Sequence, residues 1–328
     1  MQFYLAPLEG ITGFVYRNSL NKYFTGLDKY FMPFLSPKSY GYLSAREKEE
    51  LAPDNNQGLN VVPQTLTNDA EDFLKVAKCL QEFGYKEVNL NMGCPSKPVV
   101  NKGRGAGFLA MPKLLDEFLT EIFEKCNMNV SIKTRMGMNS ADEFAPLLEI
   151  FNKYPVQELI VHPRVGTDFY GNQTNKKVFG EALSGSKASV CYNGDIRYWE
   201  DYKSLIAEFR GLDKVMIGRG LICNPFLVEE IANKSSGNDS FIDRGKFWNF
   251  HNDVLENYQR VIPSDMELTV LFKMKELWRY MKDSFDNGKE WQRRINKTKN
   301  IVEYKCVIER MENLDEIILV DDKGGSHK

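Results

Sequence analysis

The chain has 328 residues, of which 42% are hydrophobic and 27% are charged, and this composition excludes a disordered chain and supports a sizeable core. The net charge of −2 excludes a uniformly basic surface, so any nucleic-acid-binding surface must be a local patch. Six cysteines form no CxxC pair, and together with three scattered histidines they predict free thiols and no metal site. The N-terminus lacks a signal-peptide pattern and no apolar run has the length of a membrane span, so we expect a cytoplasmic protein.

Short apolar runs recur along the first two thirds of the chain, and most of them precede a helical pattern. Eight strands are predicted in chain order, at 3–8, 29–35, 59–66, 87–93, 129–137, 158–164, 189–195 and 214–220. Amphipathic spacing predicts helices at 68–84, 113–126 and 199–209, whereas 165–182 is predicted to be mostly loop. Eight strand–helix units in about 230 residues favour an α/β fold of the (β/α)8 type, the TIM barrel, over a doubly wound sheet.

The pattern changes after about residue 241, where helices are predicted without strands between them. These helices are predicted at 247–258, 268–285 and 293–314, and the loop-like run SSGND at 235–239 marks a boundary. We therefore predict a catalytic barrel over 1–238, a smaller all-helical domain over 239–320 and a frayed tail over 321–328.

Polar residues stand at the C-terminal ends of the predicted strands, on the face where barrels build active sites. They are Gln64, Asn91, Lys133, His162, Asn193 and Arg219. The glycines and Arg219 after the last two strands suit a bound phosphate, although tight turns alone would also explain the glycines. Lys133 suits the carbonyl edge of a flavin if it faces the lumen, and otherwise it extends from the strand end into solvent. His162 is either a cofactor contact or an ordinary structural histidine.

Cys94 lies in the stretch NLNMGCPSK, between a glycine and a proline, where an apolar run ends. Proline cannot continue a sheet ladder, so the chain must turn there. The lack of partner ligands argues against a metal site, which leaves a packed thiol or a thiol presented at a site as acid or nucleophile. The loop that follows, 96–108, carries Lys97, Lys102, Arg104 and three glycines, which favours a mobile loop that meets a polyanion.

Six short motifs resemble those of the flavin-dependent dihydrouridine synthases in order and in approximate spacing. They are APLEGIT (6–12), NMGCPS (91–96), KTRMG (133–137), VHPR (161–164), YNGDI (192–196) and MIGRG (216–220). The resemblance is close over residues 3–230 and weaker in the helical region, which in that family helps to hold RNA. It implies a TIM barrel with bound FMN, NADPH as the reductant, and a uridine in folded RNA, usually tRNA, as the substrate.

The same resemblance implies roles for individual residues. Cys94 would be the catalytic general acid that protonates C5 of the uracil, on the face opposite to hydride arrival at C6 from reduced FMN. Asn91 would contact the uracil. The flavin would be held by Pro7, Leu8, Glu9, Gln64, Lys133, His162, Asn193, Gly194, Asp195, Gly218 and Arg219.

The sequence departs from the family pattern in two places. Many members have a glycine shortly after the glutamine, where this chain has QTLTN (64–68), so the third loop is expected to differ. Many members also have HGRT where this chain has HPRV (162–165), so Pro163 and Val165 are unusual, and the surroundings of His162 and Arg164 are expected to differ from those in the family.

A local basic patch is predicted in the helical region. Residues 273–310 hold eleven Lys or Arg against six Asp or Glu, with Trp278, Tyr280 and Trp291 interleaved. This pattern suits phosphate contacts with base stacking, and it also suits an ordinary solvated helix face over a core. The predicted RNA contacts are Lys97, Arg104, Arg135, Arg293, Arg294 and Lys297.

Three alternatives to tRNA reduction remain open from the sequence. The same chemistry could act on ribosomal RNA, an FMN barrel could reduce a small pyrimidine, or an RNA-binding barrel could lack turnover. The basic helical region argues against the small-molecule enzyme, and the presence of both Cys94 and Lys133 argues against the inactive barrel. We expect a monomer that binds neither membrane nor metal.

Overall fold

The computed structural model describes residues 1–37, 43–239 and 242–314, so the predicted tail lies outside the described residues. Backbone proximity divides the chain into two compact units. The first unit contains 1–7, 28–194 and 209–216, and the second contains 8–27, 195–208 and the residues from 217 onward. The domain boundary expected between 238 and 239 stays a prediction.

One parallel sheet contains the nine strands of the described residues. They are β1 (Gln2–Leu5), β2 (Lys29–Phe31), β3 (Val61–Val62), β4 (Gln64–Thr65), β5 (Glu87–Met92), β6 (Asn129–Arg135), β7 (Glu158–His162), β8 (Ser189–Tyr192) and β9 (Lys214–Ile217). Their order in the sheet is β3-β2-β1-β9-β8-β7-β6-β5-β4. Because β3 and β4 are neighbours in the chain, the two ends of this order meet, and the sheet forms a nearly closed barrel. The predicted TIM-barrel fold is confirmed.

The third predicted strand, 59–66, differs from the prediction because it is split into β3 and β4 by Pro63. Proline has no N–H group and cannot donate to a sheet ladder. Its carbonyl still accepts a hydrogen bond from the Asn89 N–H at 2.8 Å. β3 pairs with β2, whereas β4 pairs with β5 and Thr65 forms a bridge to Leu35. The barrel therefore closes through two very short strands in place of one continuous strand.

Helices follow most of the strands, and only helices follow β9 among the described residues. They are α1 (Phe14–Tyr23), α2 (Ala45–Leu51), α3 (Ala70–Glu82), α4 (Lys97–Val100), α5 (Pro112–Lys125), α6 (Phe144–Phe151), α7 (Lys176–Gly185), α8 (Trp199–Glu208), α9 (Arg219–Cys223), α10 (Leu227–Ser235), α11 (Arg244–Val261), α12 (Glu267–Met281), α13 (Gly288–Lys297) and α14 (Ile301–Leu314). The three helices predicted within the barrel correspond to α3, α5 and α8. None of the described helices combines the length and the apolar character that a membrane span requires.

Side-chain caps mark two helix starts that the sequence prediction did not give. The segment 165–182 was predicted to be mostly loop, and no α-helix or strand forms over 165–175, but α7 begins at Lys176, where the Asn175 side chain accepts a hydrogen bond from the Val178 N–H at 3.1 Å. The single helix predicted over 293–314 is two helices. Asn300 caps the second of them by accepting a hydrogen bond from the Glu303 N–H at 2.8 Å.

The second unit has an aromatic core with a buried polar centre. The Trp278 Nε1–H group donates to the Tyr304 hydroxyl at 2.7 Å, and that hydroxyl lies 2.7 Å from Nε2 of His251. The His251 Nδ1 atom lies 2.9 Å from Asn252 Oδ1, which can only accept, so Nδ1 carries the ring hydrogen and Nε2 accepts from the Tyr304 hydroxyl. Burial lowers the pKa of His251 to about 4, so the ring is neutral at physiological pH. Trp278 and Trp291 are both buried, so for these two rings the structure favours the interpretation as a helix face over a core, and they offer no stacking surface to RNA bases.

Candidate active site

Polar side chains of β5 and β6 share one side of the sheet. Asn91 is paired with Lys133, and side chains at paired positions of neighbouring parallel strands point to the same side. The Asn91 amide donates to Gln64 Oε1 of the neighbouring strand β4 at 2.7 Å. On the same side of β5 as Asn91, Glu87 binds Lys29 of β2, whose Nζ also lies 3.7 Å from Glu158 of β7, and strands so far apart in the sheet meet only through the barrel interior. Lys133 therefore faces the lumen, which decides between the two positions that the sequence left open for it.

Lys133 is half-buried among groups that disfavour its positive charge. Desolvation is the largest cause of its shift and the charge of Arg135 is the second, and together they lower the pKa of Lys133 from 10.5 to about 8. The side chain is therefore mainly an ammonium at neutral pH, but it loses its proton in mild alkali. A lysine in this state is typical of functional sites, where burial is combined with a nearby charge.

Cys94 is held in a tight turn directly after β5. Both the Gly93 N–H and the Cys94 N–H donate to Asn91 Oδ1, each at 3.0 Å. The Cys94 carbonyl accepts from the Ala106 N–H at 3.0 Å. Gly105 has φ +56°, and a Cβ atom there would lie 2.7 Å from the Cys94 carbonyl oxygen, so a side chain does not fit. The thiol is half-buried and stands at the end of a barrel strand, as predicted.

The loop that follows Cys94 is folded, although a mobile loop was expected. It forms α4 and then a 3-10 helix over Gly105–Ala110, in which the residues from Gly105 to Leu109 are buried. The lysine predicted to meet RNA here, Lys97, is exposed, and Arg104 is half-buried. Both cations lie on the segment that packs around Cys94.

Arg104 is bound by a residue from the loop where the sequence departs from the family pattern. Its Nε–H donates to Asn68 Oδ1 at 3.2 Å, and the Asn68 amide donates to the Lys102 carbonyl at 3.1 Å. Asn68 thus ties the loop after β4 to the loop after Cys94. Nothing in the local sequence indicates this pairing, because the two residues are 36 positions apart.

Arg135 was predicted to contact RNA, but the structure buries it and uses it to join two loops. Its Nε, Nη1 and Nη2 groups donate to the carbonyls of Gly93, Val165 and Phe169 at 2.9, 2.8 and 2.7 Å. The side chain is only 1% exposed. Phe169 has φ +50°, a backbone conformation that costs a non-glycine residue about 1–3 kcal/mol, and the bond to Arg135 holds it there. Arg135 therefore positions the Cys94 turn and the loop after β7, in place of the predicted substrate contact.

His162 lies at the end of β7 and is in contact with Arg164. The Arg164 Nη1 group lies 3.0 Å from His162 Nε2, and a guanidinium can only donate, so Nε2 accepts and the hydrogen of the neutral ring is on Nδ1. The Nε group of Arg164 donates to the Asn172 carbonyl at 2.5 Å. The ring of Tyr170 stands 6.0 Å from the His162 ring. The sequence HPRV, which stands where many family members have HGRT, therefore places a packed pair of His162 and Arg164 at the end of β7.

Asn193 and Gly194 follow β8 at the same end of the barrel. The Asn193 amide donates to the Met216 carbonyl at 2.8 Å, and its side chain is buried. A Cβ atom at Gly194 would overlap the Tyr192 hydroxyl, so only glycine fits this position. Pro7, which follows β1, is half-buried.

The remaining predicted cofactor residues belong to the second unit. The Leu8 carbonyl accepts from the Ile11 and Thr12 N–H groups, which makes a turn on which Glu9 is exposed. Arg219, the first residue of α9 after Gly218, donates to Asp195 Oδ1 at 2.6 Å. The predicted phosphate donor therefore forms an ion pair with another predicted cofactor residue.

The three predicted RNA-binding cations of the helical region lie on α13 and are exposed. They are Arg293, Arg294 and Lys297. The Arg294 guanidinium stacks over the ring of Trp291 at 4.7 Å and forms an ion pair with Glu290. Within the part of the chain that the structure describes, no three His, Cys, Asp or Glu side chains are grouped to hold a metal ion.

The fold and the strand-end residues define a (β/α)8-barrel protein. A variant of NCR from Zymomonas mobilis has the same fold, with a TM-score of 0.52 and 15% identity over 71% of this chain and 87% of that chain. The sequence model of the dihydrouridine synthase (Dus) family matches residues 4–318, and this chain therefore belongs to that family.

Relatives in two organisms have names that specify the RNA. tRNA-dihydrouridine synthase B of Pasteurella multocida is 28% identical over 242 residues, which cover 72% of this chain and 71% of that protein. The probable tRNA-dihydrouridine synthase of Staphylococcus aureus is 24% identical over 332 residues, which cover 97% of this chain and 96% of that protein.

Proposed function

We propose that this protein is a flavin-dependent oxidoreductase that reduces a uridine of tRNA to 5,6-dihydrouridine, with FMN as its cofactor and NADPH as its reductant. The observation that carries the proposal is the joint placement of Cys94 and Lys133 at the C-terminal ends of neighbouring strands in a barrel of this family. The names of the tRNA-modifying relatives support tRNA as the substrate over ribosomal RNA.

The residues of the barrel fit a flavin. A lumen-facing ammonium, Lys133, is the kind of group that suits the N1–C2 carbonyl edge of the ring. We propose that Pro7, His162 and Asn193 border the cofactor from the barrel. Leu8, Glu9, Asp195, Gly218 and Arg219 are proposed to hold its ring edge and phosphate. A bound reduced flavin supplies the hydride that is added to C6 of the uracil.

The protein's own residues are proposed to supply the proton that is added to C5 of the uracil. Reduction of the C5–C6 double bond takes one hydride at C6 and one proton at C5, and a proton donor must therefore stand beside C5. We assign this proton to the Cys94 thiol, which the turn after β5 presents in a fixed position. Asn91 is proposed to contact the uracil. A base within folded RNA must leave its neighbours to reach such a site, so the target is an extruded or looped uridine.

This proposal is tested by mapping dihydrouridine in total RNA from cells with and without the gene. We expect one or a few tRNA positions to lose the modification when the gene is deleted. If dihydrouridine is lost only from ribosomal RNA, the substrate is ribosomal RNA and not tRNA. Oxidation of NADPH by the purified protein with free orotate, and not with unmodified tRNA, would favour a small-molecule enzyme.

We further propose that the barrel, predicted as 1–238, holds the flavin and that the helical region, predicted as 239–320, holds the RNA. Replacement of Arg293, Arg294 and Lys297 by alanine is expected to weaken tRNA binding and to make log Kd less dependent on log salt, by about one unit of slope for each lost phosphate contact. A filter-binding titration at several salt concentrations measures both effects.

The matched control removes three exposed lysines, two from α5 and one from the turn after α6. The control residues are Lys113, Lys125 and Lys153, which are all more than half exposed. If the α13 variant and the control variant change the salt slope equally, the α13 cations have no special role in RNA binding.

A further inference from the structure

A continuous series of side-chain hydrogen bonds begins at the turn that carries Cys94. The Asn91 carboxamide oxygen accepts from the backbone N–H groups of Gly93 and Cys94, each at 3.0 Å. Its Nδ2 group donates to Gln64 Oε1 at 2.7 Å. The Asn91 amide therefore joins the Cys94 turn to a residue of β4.

The series continues from Gln64 to the opposite end of the barrel strands. Gln64 Nε2 donates to Asn89 Oδ1 at 2.7 Å, and Asn89 Nδ2 donates to Ser131 Oγ at 2.9 Å. The Ser131 hydroxyl donates to Glu87 Oε1 at 2.7 Å, and the other oxygen of Glu87 forms an ion pair with Lys29 Nζ at 2.9 Å. Gln64, Asn89 and Ser131 are completely buried.

The carboxylate at the end of the series fixes the direction of every bond in it. A carboxylate only accepts hydrogen bonds, so the Ser131 hydroxyl must donate to Glu87 and must accept from the Asn89 amide. The oxygen of Asn89 then faces the amide nitrogen of Gln64. By the same logic, Gln64 presents its oxygen to Asn91, which leaves the Asn91 oxygen for the two N–H groups of the turn.

A polar series of this kind is unusual in a barrel interior. Barrel lumens are filled mainly by branched apolar side chains, and a buried amide that lost one partner would cost about 1–3 kcal/mol. Fully satisfied networks of this type hold one arrangement and exclude others. The observed network specifies the orientation of the Asn91 amide, and Asn91 specifies the turn.

We propose that Gln64, Asn89, Ser131 and Glu87 are positioning residues that set the Cys94 turn through the Asn91 amide. The effect on catalysis rests on the proposed function, in which the Cys94 thiol gives its proton to the substrate. Gln64 was predicted to contact the flavin ring. Both ends of its amide are bound to protein groups and the side chain has no exposed surface, so we reassign it to this network.

The test variant is Ser131→Ala, which removes the one group that both accepts from Asn89 and donates to Glu87. We expect backbone hydrogen exchange in the peptide that contains Gly93 and Cys94 to become at least tenfold faster. We expect kcat for uridine reduction to fall about 10–100-fold with little change in KM, because small displacements of a reacting group are costly. Ser131→Thr keeps a hydroxyl and should restore most of both properties.

The matched control is Ser189→Ala, which changes a serine of β8 that binds Lys214 and lies outside the series. The proposal is overturned if Ser131→Ala keeps the exchange rate and the kcat of the control. If Ser131→Ala does not fold, Gln64→Glu has the same shape but presents an acceptor to Asn89, and it must show the same two effects. Hydrogen exchange can be measured without activity, so the two proposals can fail separately. If Ser131→Ala exchanges faster but the wild type does not reduce uridine, the proposed function is rejected and the positioning network stands.

Discussion

Cys94→Ala is expected to lower kcat for uridine reduction by about 10²–10⁴-fold, the range that a positioned general acid contributes. The backbone of the turn should remain in place, because Asn91 binds the N–H groups of Gly93 and Cys94 and does not bind the thiol. Flavin absorbance and tRNA affinity should therefore stay close to the wild-type values. Single-turnover reduction of tRNA, measured with the flavin already reduced, isolates the affected step.

Cys79→Ala is the matched control for this variant. Cys79 is also half-buried, but it lies on α3, and burial raises the pKa of its thiol. The control should reduce tRNA at the wild-type rate. Wild-type turnover by Cys94→Ala would remove the thiol from the mechanism and would leave the proton source to be sought among other groups of the barrel.

Lys133→Met is expected to lower activity and to raise stability in the same protein. The ammonium is proposed to face the flavin, and loss of one preorganised charge in an active site costs about 10²-fold in rate. The pKa of Lys133 falls from 10.5 to about 8 on folding, so the unfolded chain binds this proton more tightly. The charged lysine thus destabilises the native state below pH 8, and methionine should raise the free energy of unfolding by about 1–3 kcal/mol at pH 7.

The pH dependence of activity gives an independent check on the direction of the Lys133 pKa shift. Wild-type activity should fall as pH rises through about 8, because the ammonium is lost there, whereas Lys133→Met should lack this fall. Denaturant titrations and pH–rate profiles of both proteins measure the two effects. Lys187→Met makes the same change at an exposed lysine and should alter neither property. A Lys133→Met protein that is both active and no more stable than the wild type would contradict the assignment.

The fold was predictable because each barrel strand is a short apolar run with its own turn. The strand that was predicted as one piece and forms two has Pro63 in its centre, so the cause of the split is visible in the sequence. The break between α13 and α14 was harder to predict. Helical spacing continues across 298–300, and only the Asn300 cap shows that a new helix begins there.

Strand ends predicted where polar side chains gather on the barrel, but they did not predict what those side chains bind. Arg135 and Asn68 hold loops together, and both roles depend on approaches between segments more than 30 positions apart in the chain. A usable signal for the buried network was present in β5 and β6. Polar residues occupy every second position there, Glu87, Asn89 and Asn91 in one strand, with Ser131 and Lys133 in the other. Such alternation indicates that one side of the strand is polar.

The closure of the barrel at Pro63 has a dynamic consequence. β5 pairs with β6 from Glu87 to Met92, whereas β3 and β4 are each held by two register positions. A ladder of two paired positions opens locally more easily than one of six, so at this seam we expect β4 to separate from β5 before β5 separates from β6. Gln64 lies on the seam, and each opening there disconnects Asn91 from the rest of the amide series. On warming, the thiol therefore loses its fixed orientation before the barrel itself melts, and heat inactivation precedes heat denaturation.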